Sequence, residues 1–275
     1  MNARFSIGLL IALGIGQAGA GDWSVKTRKA VKTEDGEKVV ESVDTWKPRE
    51  TAVIICDMWN NHHCTAAARR VVELAPYLNQ VVQAARKRGV LIIHAPSGCA
   101  NYYQDTPARK RMQQAPFVKS DVSFGYHFYD PKLEGPLADH LEKAGCSCDT
   151  PKICGPDVRV WTHQNEAIEI KDEDAVGDKG QEIFNLLEQR KIENVILMGV
   201  HANRCIVARP FGVRAMVKLK KNVVVCRDLT DSYHRDPGKH FAGLAKIIRH
   251  IETWWCPTIT SESITGKKPF KFAKE

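Results

Sequence analysis

Asn194-Val-Ile-Leu-Met-Gly199 is an unbroken, mostly apolar run that stops on a glycine, and Val200-His-Ala-Asn-Arg-Cys205 carries the chain from it into a helical stretch. A strand buried on both faces reads this way, because neither side meets water and no polar alternation is kept. Thr51-Ala-Val-Ile-Ile-Cys-Asp57, Val90-Leu-Ile-Ile-His94 and Asn222-Val-Val-Val-Cys226 repeat the signature. Shorter strands are expected at residues 167–170 and 257–260. Helices are expected between them: 66–88, with Val71, Val72, Leu74, Leu78, Val81, Val82 and Ala85 at helical spacing and Gly89 as its stop, then 181–190, 205–220 and 240–254. Strand and helix alternate about six times, which predicts an α/β class. The expected fold is a three-layer α/β/α, Rossmann-like arrangement around a doubly wound, mainly parallel six-stranded sheet.

Two segments stand outside this rhythm. Residues 23–49 are polar and alternating, with Asp35-Gly36 at their centre, and predict an N-terminal hairpin. Residues 96–156 are rich in Pro, Gly, Cys and aromatics and read as a Cys-rich insertion with little regular structure. With neither an internal repeat nor a linker, residues 21–275 are expected to form one domain.

The first twenty residues read as a cleaved signal peptide. Arg4 gives a positive start, Phe5 to Gly16 a short apolar run, and Ala18-Gly19-Ala20 a small-residue cleavage site. The expected product is secreted or periplasmic, with no membrane partner once the signal is removed. The net charge of +8 is spread along the chain. The densest cluster, Lys218-Leu-Lys-Lys221, falls at an expected helix end, where positive charge suits the helix dipole. No nucleic-acid module accompanies it, so no nucleic-acid partner is expected.

Chemistry is expected outside the carboxyl ends of the strands, where open α/β sheets bind ligands. Asp57, His94, Lys171 and the turn from Gly199 to Cys205 all fall at expected strand ends. A thiol opening a helix meets the positive end of the dipole and several unpaired N–H groups, which favours the thiolate and an oxyanion alike. Cys205 is therefore either a nucleophile or a half-buried structural cysteine. Asp57 is either a base for that thiol or a cap on loop amides, and Lys171 is either its electrostatic partner or a solvated surface lysine.

Taken together, Val53-Ile-Ile-Cys-Asp57, Ile170-Lys171, and Val195 to Cys205 with its Gly-Val-x-x-x-x-Cys pattern resemble the isochorismatase-like cysteine hydrolase superfamily, which includes nicotinamidases and N-carbamoyl amidases. Asp228, after the following strand, fits as well. The resemblance spans roughly residues 51–260 apart from the insertion. It implies Asp57 as base, Lys171 as electrostatic partner and Cys205 as nucleophile. It further implies a cis peptide between Val200 and His201, which aims the His201 N–H, with that of Cys205, at an oxyanion. On this reading one sulfur, one carboxylate and one ammonium meet at the sheet's rim, and a Lys171 turned to solvent would break it.

Several residues depart from the family pattern. Trp59 and Asn60-Asn61-His62 stand where relatives often carry Gln and an aromatic, Ala202 replaces a common Thr, and Pro210 lies early in the helix after Cys205. These mark a divergent, exported subfamily whose substrate is not to be borrowed from nicotinamidase. Trp59, His62 and His94 are candidate substrate contacts; Tyr102 and Tyr103 either wall the pocket or pack the insertion. The Asp-x-His metal pair of nicotinamidases is missing, so no metal and no cofactor is expected, although His62, His63 and His94 leave a metal site open.

Nine cysteines in an exported chain suggest disulfides and an odd thiol. Cys56 and Cys226 read as inert buried thiols, Cys64 and Cys99 as a candidate bridge. Cys146, Cys148 and Cys154 read as a disulfide knot, or as part of a zinc site without an evident fourth ligand. The sequence thus points to a hydrolase for a small amide or related C–N bond, with a small-molecule substrate and a homo-oligomeric state implied by the resemblance. The alternative is an exported binding protein that keeps the fold without catalysis.

Overall fold

The computed structural model describes residues 21–135, 145, 146, 148, 154, 158–233 and 240–273. The expected signal peptide, residues 1–20, and part of the Cys-rich insertion lie outside them. Strands β3 (Thr51–Cys56), β4 (Leu91–Ala95), β5 (Ala175–Val176), β6 (Asn194–Val200), β7 (Asn222–Asp231) and β8 (Thr258–Ile259) form a parallel sheet in the order β8-β7-β6-β3-β4-β5. The expected hairpin is β1 (Trp23–Thr33) and β2 (Gly36–Trp46), paired throughout its length. It also joins the sheet, since β1 runs antiparallel to β8, so the sheet has eight strands rather than six.

Both faces are covered, which explains the unbroken apolar runs. Ala52, Ile54 and Cys56 of β3 face one core, and Val53 and Ile55 face the other. Helix α1 (Thr65–Lys87) covers the second face with Val71, Leu74, Leu78, Val81 and Val82, at helical spacing. The first face is covered by α2 (Pro107–Gln113), α4 (Gly180–Gln189), α5 (Val213–Lys218) and α6 (His240–Trp254), through Met112, Ile183, Leu187, Met216, Ile247 and Ile251. A short α3 (Pro131–Glu134) and α2 show that the insertion carries some helix.

Two expected elements take another form. Residues 167–170 are not a strand; the strand here is β5, five residues later and only two residues long. Its pairing partners are Ile93 and His94, and the polar run Lys171-Asp-Glu-Asp174 precedes it. The helix expected at 205–220 is interrupted. A wide π-turn, Ala202–Ile206, leads into a break around Pro210, and α5 begins only at Val213. Proline has no N–H to give the helix, which suits this break.

Strand order reverses between β3 and β6, because β4 and β5 are laid outward on one side of β3 and β7 and β8 on the far side of β6. Their carboxyl ends bound the crevice where such sheets take ligands. Gly199, near the end of β6, has φ +114°, and a Cβ there would collide with the backbone of Cys56 at the end of β3. Glycine thus lets the two strands close on each other beside the site.

Candidate active site

Asp57 follows β3 directly and is fully buried. Its backbone is left-handed, with φ +50°, a conformation that Asp tolerates better than most residues. One carboxylate oxygen accepts the Ser97 N–H at 2.7 Å, and the other accepts Nε of Arg209 at 3.0 Å. Ser97 ties the loop after β4 to this group. Its carbonyl also accepts the indole N–H of Trp59 at 3.2 Å and of Trp161 at 3.3 Å. The Asp57 carboxylate and two aromatic walls are therefore held by one peptide segment.

Cys205 lies in the π-turn after β6, beyond the Val200–His201 peptide, which is cis. Its sulfur is buried close to the Asp57 carboxylate and the His201 backbone N–H, both of which act on its charge. Burial pushes the thiol up to about 12, the neighbouring Asp57 charge adds to the rise, and Arg209 and the His201 N–H oppose it. The resting group is a protonated thiol, not the thiolate expected from a helix start. In a turn closed against a buried carboxylate, desolvation and like charge outweigh the dipole.

Arg209 is the charged partner of Asp57, and sequence reasoning passed over it. Its N–H bonds to the Cys205 carbonyl at 3.0 Å, so it sits one turn beyond the thiol on the same segment. Asp57 and Cys205 keep the guanidinium firmly charged despite its partial burial. The four-residue step from Cys205 to Arg209 was the available signal, since residues at that spacing share a helix face.

Cys205 and Arg209 open onto a cavity of about 410 Å³, while Asp57 stays fully buried. Trp59 and Trp161 stack at 4.2 Å, and His62 lies parallel to Trp161 at 5.6 Å. His201 and Tyr233 close the other side, with ring centres 5.1 and 5.3 Å from His62. Burial holds the His201 imidazole well below its ordinary range, so the ring is neutral. Its Nε2 is buried without a hydrogen-bond partner among the described residues, yet the ring borders the cavity. Arg204 sits exposed among the lining residues. The site is thus a thiol–carboxylate–guanidinium set beneath a box of flat rings.

Two predicted site residues lie elsewhere. Lys171 is exposed, and its nearest acidic partner is Glu169 at 3.8 Å. The cause is the displaced strand: Lys171 precedes β5, so it does not sit at a carboxyl end. Arg209 supplies the cation instead. His94 is fully buried inside β4, with one ring nitrogen 3.1 Å from Gln164 and the other 3.1 Å from Asp174. Both nitrogens are occupied by protein, so His94 neither lines the cavity nor joins His62 and His63 in a metal site. Trp59 and His62 do line it. Asp228 accepts the backbone N–H groups of Ser261 and Phe270 and fastens the C-terminal segment to β7.

None of the nine cysteines is in a disulfide. Cys64 lies 3.5 Å from Cys148, not beside Cys99, which sits near the Ser97 carbonyl. Cys56 and Cys226 are buried thiols held protonated by desolvation.

No family model matches the chain, and no curated protein matches it. Among solved structures it is similar to a cysteine hydrolase from Pseudomonas syringae pv. phaseolicola, with 17% identity over 80% of this chain and 93% of that one, at a TM-score of 0.49. An isochorismatase family protein from Burkholderia thailandensis gives 15% identity over 79% and 95%, at 0.46. An isochorismatase family protein from Desulfovibrio vulgaris gives 16% over 79% and 97%, at 0.43.

Proposed function

We propose that this chain is a hydrolase of the isochorismatase-like cysteine hydrolase kind, cleaving a small amide or related C–N bond through a thioester on Cys205. The observation that carries the proposal is that the buried Cys205 thiol sits beside the buried, Arg209-paired Asp57 carboxylate at the β3–β6 crevice. The version built on Lys171 fails, since that ammonium faces solvent. Arg209 takes its place.

Asp57 accepts the thiol proton as sulfur attacks the substrate carbonyl, and the negative charge then passes to the carbonyl oxygen. The His201 N–H and the Cys205 N–H then receive that oxygen, a role supported by the nearness of the His201 N–H to the sulfur. The leaving nitrogen takes the proton from Asp57. Asp57 next draws a proton from water, whose oxygen cleaves the thioester and restores the thiol. A thiol pushed up to about 12 does not ionise beforehand near neutrality, so proton transfer accompanies attack. Arg209 faces one negative charge before and after that transfer, first on Asp57 and then on sulfur.

The ring box supports a flat, small substrate, and the unpartnered Nε2 of His201 supports a polar atom on it. Export belongs to the same proposal: the mature chain begins at Gly21, which intact-mass measurement of the secreted product checks. Ammonia release from a panel of amides, ureas and carbamoyl compounds tests the reaction, and Cys205→Ala is expected to abolish it with the fold intact. A fully active Cys205→Ala would remove the mechanism.

A second reading, a binding protein that has lost catalysis, is favoured by the missing lysine and the strongly protonated thiol. Intact mass during incubation with the panel separates the two. An acyl adduct on Cys205 supports the hydrolase, whereas ligand binding with neither adduct nor ammonia supports the binder.

A further inference from the structure

Outside the cavity, four sulfurs from distant parts of the sequence converge. The ligand atoms of Cys64, Cys146, Cys148 and Cys154 all lie within 4.8 Å of one another. Sulfur separations are 3.5 Å for Cys64–Cys148, 3.1 Å for Cys148–Cys154 and 2.8 Å for Cys146–Cys154. A disulfide needs about 2.05 Å. Four thiolates around one zinc at about 2.3 Å stand about 3.8 Å apart at the corners of a tetrahedron. The Cys148 sulfur lies between two neighbours at similar distances, so the cluster singles out no pairing into two bridges.

The surroundings suit a thiolate centre. Cys64 is the residue preceding α1, a helix of 23 residues, and the Ala66 N–H donates to the Cys148 sulfur at 3.2 Å. The Thr65 hydroxyl also lies 3.2 Å from it, and the Cys148 N–H donates to the Cys146 sulfur at 3.4 Å. Four thiolates and one divalent ion carry a net double negative charge. Amide donors and a helix start offset such a charge.

We infer that Cys64, Cys146, Cys148 and Cys154 bind one structural zinc ion that clamps the insertion to the start of α1. Soft sulfur donors in a closed four-fold set select zinc over hard cations. Binding converts four thiols and Zn²⁺ to a tetrathiolate complex and four released protons, with no change of oxidation state. Cys64 is the fourth ligand that the three clustered cysteines lacked in sequence, 82 residues ahead of Cys146. The clamp also braces the cavity. The Cys64 N–H donates to Nδ1 of His62 at 3.0 Å, and the Gly145 N–H to the Tyr233 carbonyl at 3.1 Å. Both rings line the cavity, but the zinc assignment stands independently of what reacts there.

The test is metal analysis of the whole protein, purified without reductant. About one zinc per chain is expected, as for a closed structural site. A mercurial thiol reagent is expected to release it, and cobalt substitution to give thiolate-to-metal charge-transfer absorption. Cys64→Ser and Cys154→Ser are expected to lose the zinc, and Cys99→Ser to keep it. If those variants do not fold, mercurial release and the cobalt spectrum of the unaltered protein decide the matter. Metal-free protein would overturn the inference, whether its four sulfurs are recovered as disulfide-linked peptides or as freely alkylated thiols. So would zinc retained in a folded Cys64→Ser.

Discussion

Replacing Arg209 by Gln removes the cation that hydrogen-bonds Asp57 and leaves that carboxylate fully buried beside the Ser97 N–H. Two unit charges about 4 Å apart at an effective dielectric of about 20 interact by about 4 kcal/mol. The Arg209 side chain is 28% exposed, so solvent screening reduces this to about 2 kcal/mol. Since about 1.4 kcal/mol corresponds to one pH unit, the Cys205 thiol should rise further by more than one unit. Alkylation through the Cys205 thiolate, with Asp57 still charged beside it, should slow about 30-fold for the same 2 kcal/mol. The assay is the rate of Cys205 alkylation by iodoacetamide against pH, read by peptide mass, beside ammonia release from any substrate found. Lys171→Ala, run in parallel, should alter neither by more than about twofold, because exposed charge pairs contribute little. If Arg209→Gln matches the unaltered protein while Lys171→Ala slows both reactions, the assignment of the cation is refuted.

Asp57→Asn keeps a residue that tolerates the left-handed backbone but cannot take the thiol proton; it should lose at least about 100-fold in turnover, with a native circular dichroism spectrum as the control. Gly199→Ala forces a Cβ into the Cys56 backbone at positive φ and should cost about 3 kcal/mol or more, read from urea unfolding. A merely slight shift of the midpoint would show that β3 and β6 do not close as tightly as described. Asp174, Asp231 and Glu134 are each held down to about 2. For the first two, burial opposes this, but His94 and Arg86 outweigh it at Asp174, and His240 and Arg70 at Asp231. At Glu134 burial is likewise outweighed, by His250, Arg214 and Trp255. Their folded values lie below the unfolded ones, so their stabilisation is complete above about pH 4.5 and is lost as pH falls toward 2, at about 2–3 kcal/mol each. Acid titration followed by circular dichroism should show most of the unfolding in that window, and stability unchanged down to pH 2 would contradict it.

Strands β3, β4, β6 and β7 were legible because a sheet covered on both faces demands long apolar runs, and nothing else in the chain competes for them. The site's carboxylate and thiol followed from that register, since both sit at strand ends fixed by those runs. Strand β5 was not legible. At two residues it is too short to impose a period, while Ala167-Ile-Glu-Ile170 alternates without pairing. That displacement carried Lys171 out of the site. Arg209 stayed hidden behind Pro210, which made the segment after Cys205 look like a damaged helix rather than one placed to aim a guanidinium. The sulfur cluster required tertiary contact between Cys64 and the insertion, which no local pattern encodes.

Because thiol and guanidinium ride on one short segment, any drift of that turn carries both together, and their mutual spacing is insulated from the rest of the sheet. A lysine delivered from β5 would have made charge balance hostage to a marginal two-residue strand. Here no member of the central ionic pair is delivered by that outer strand.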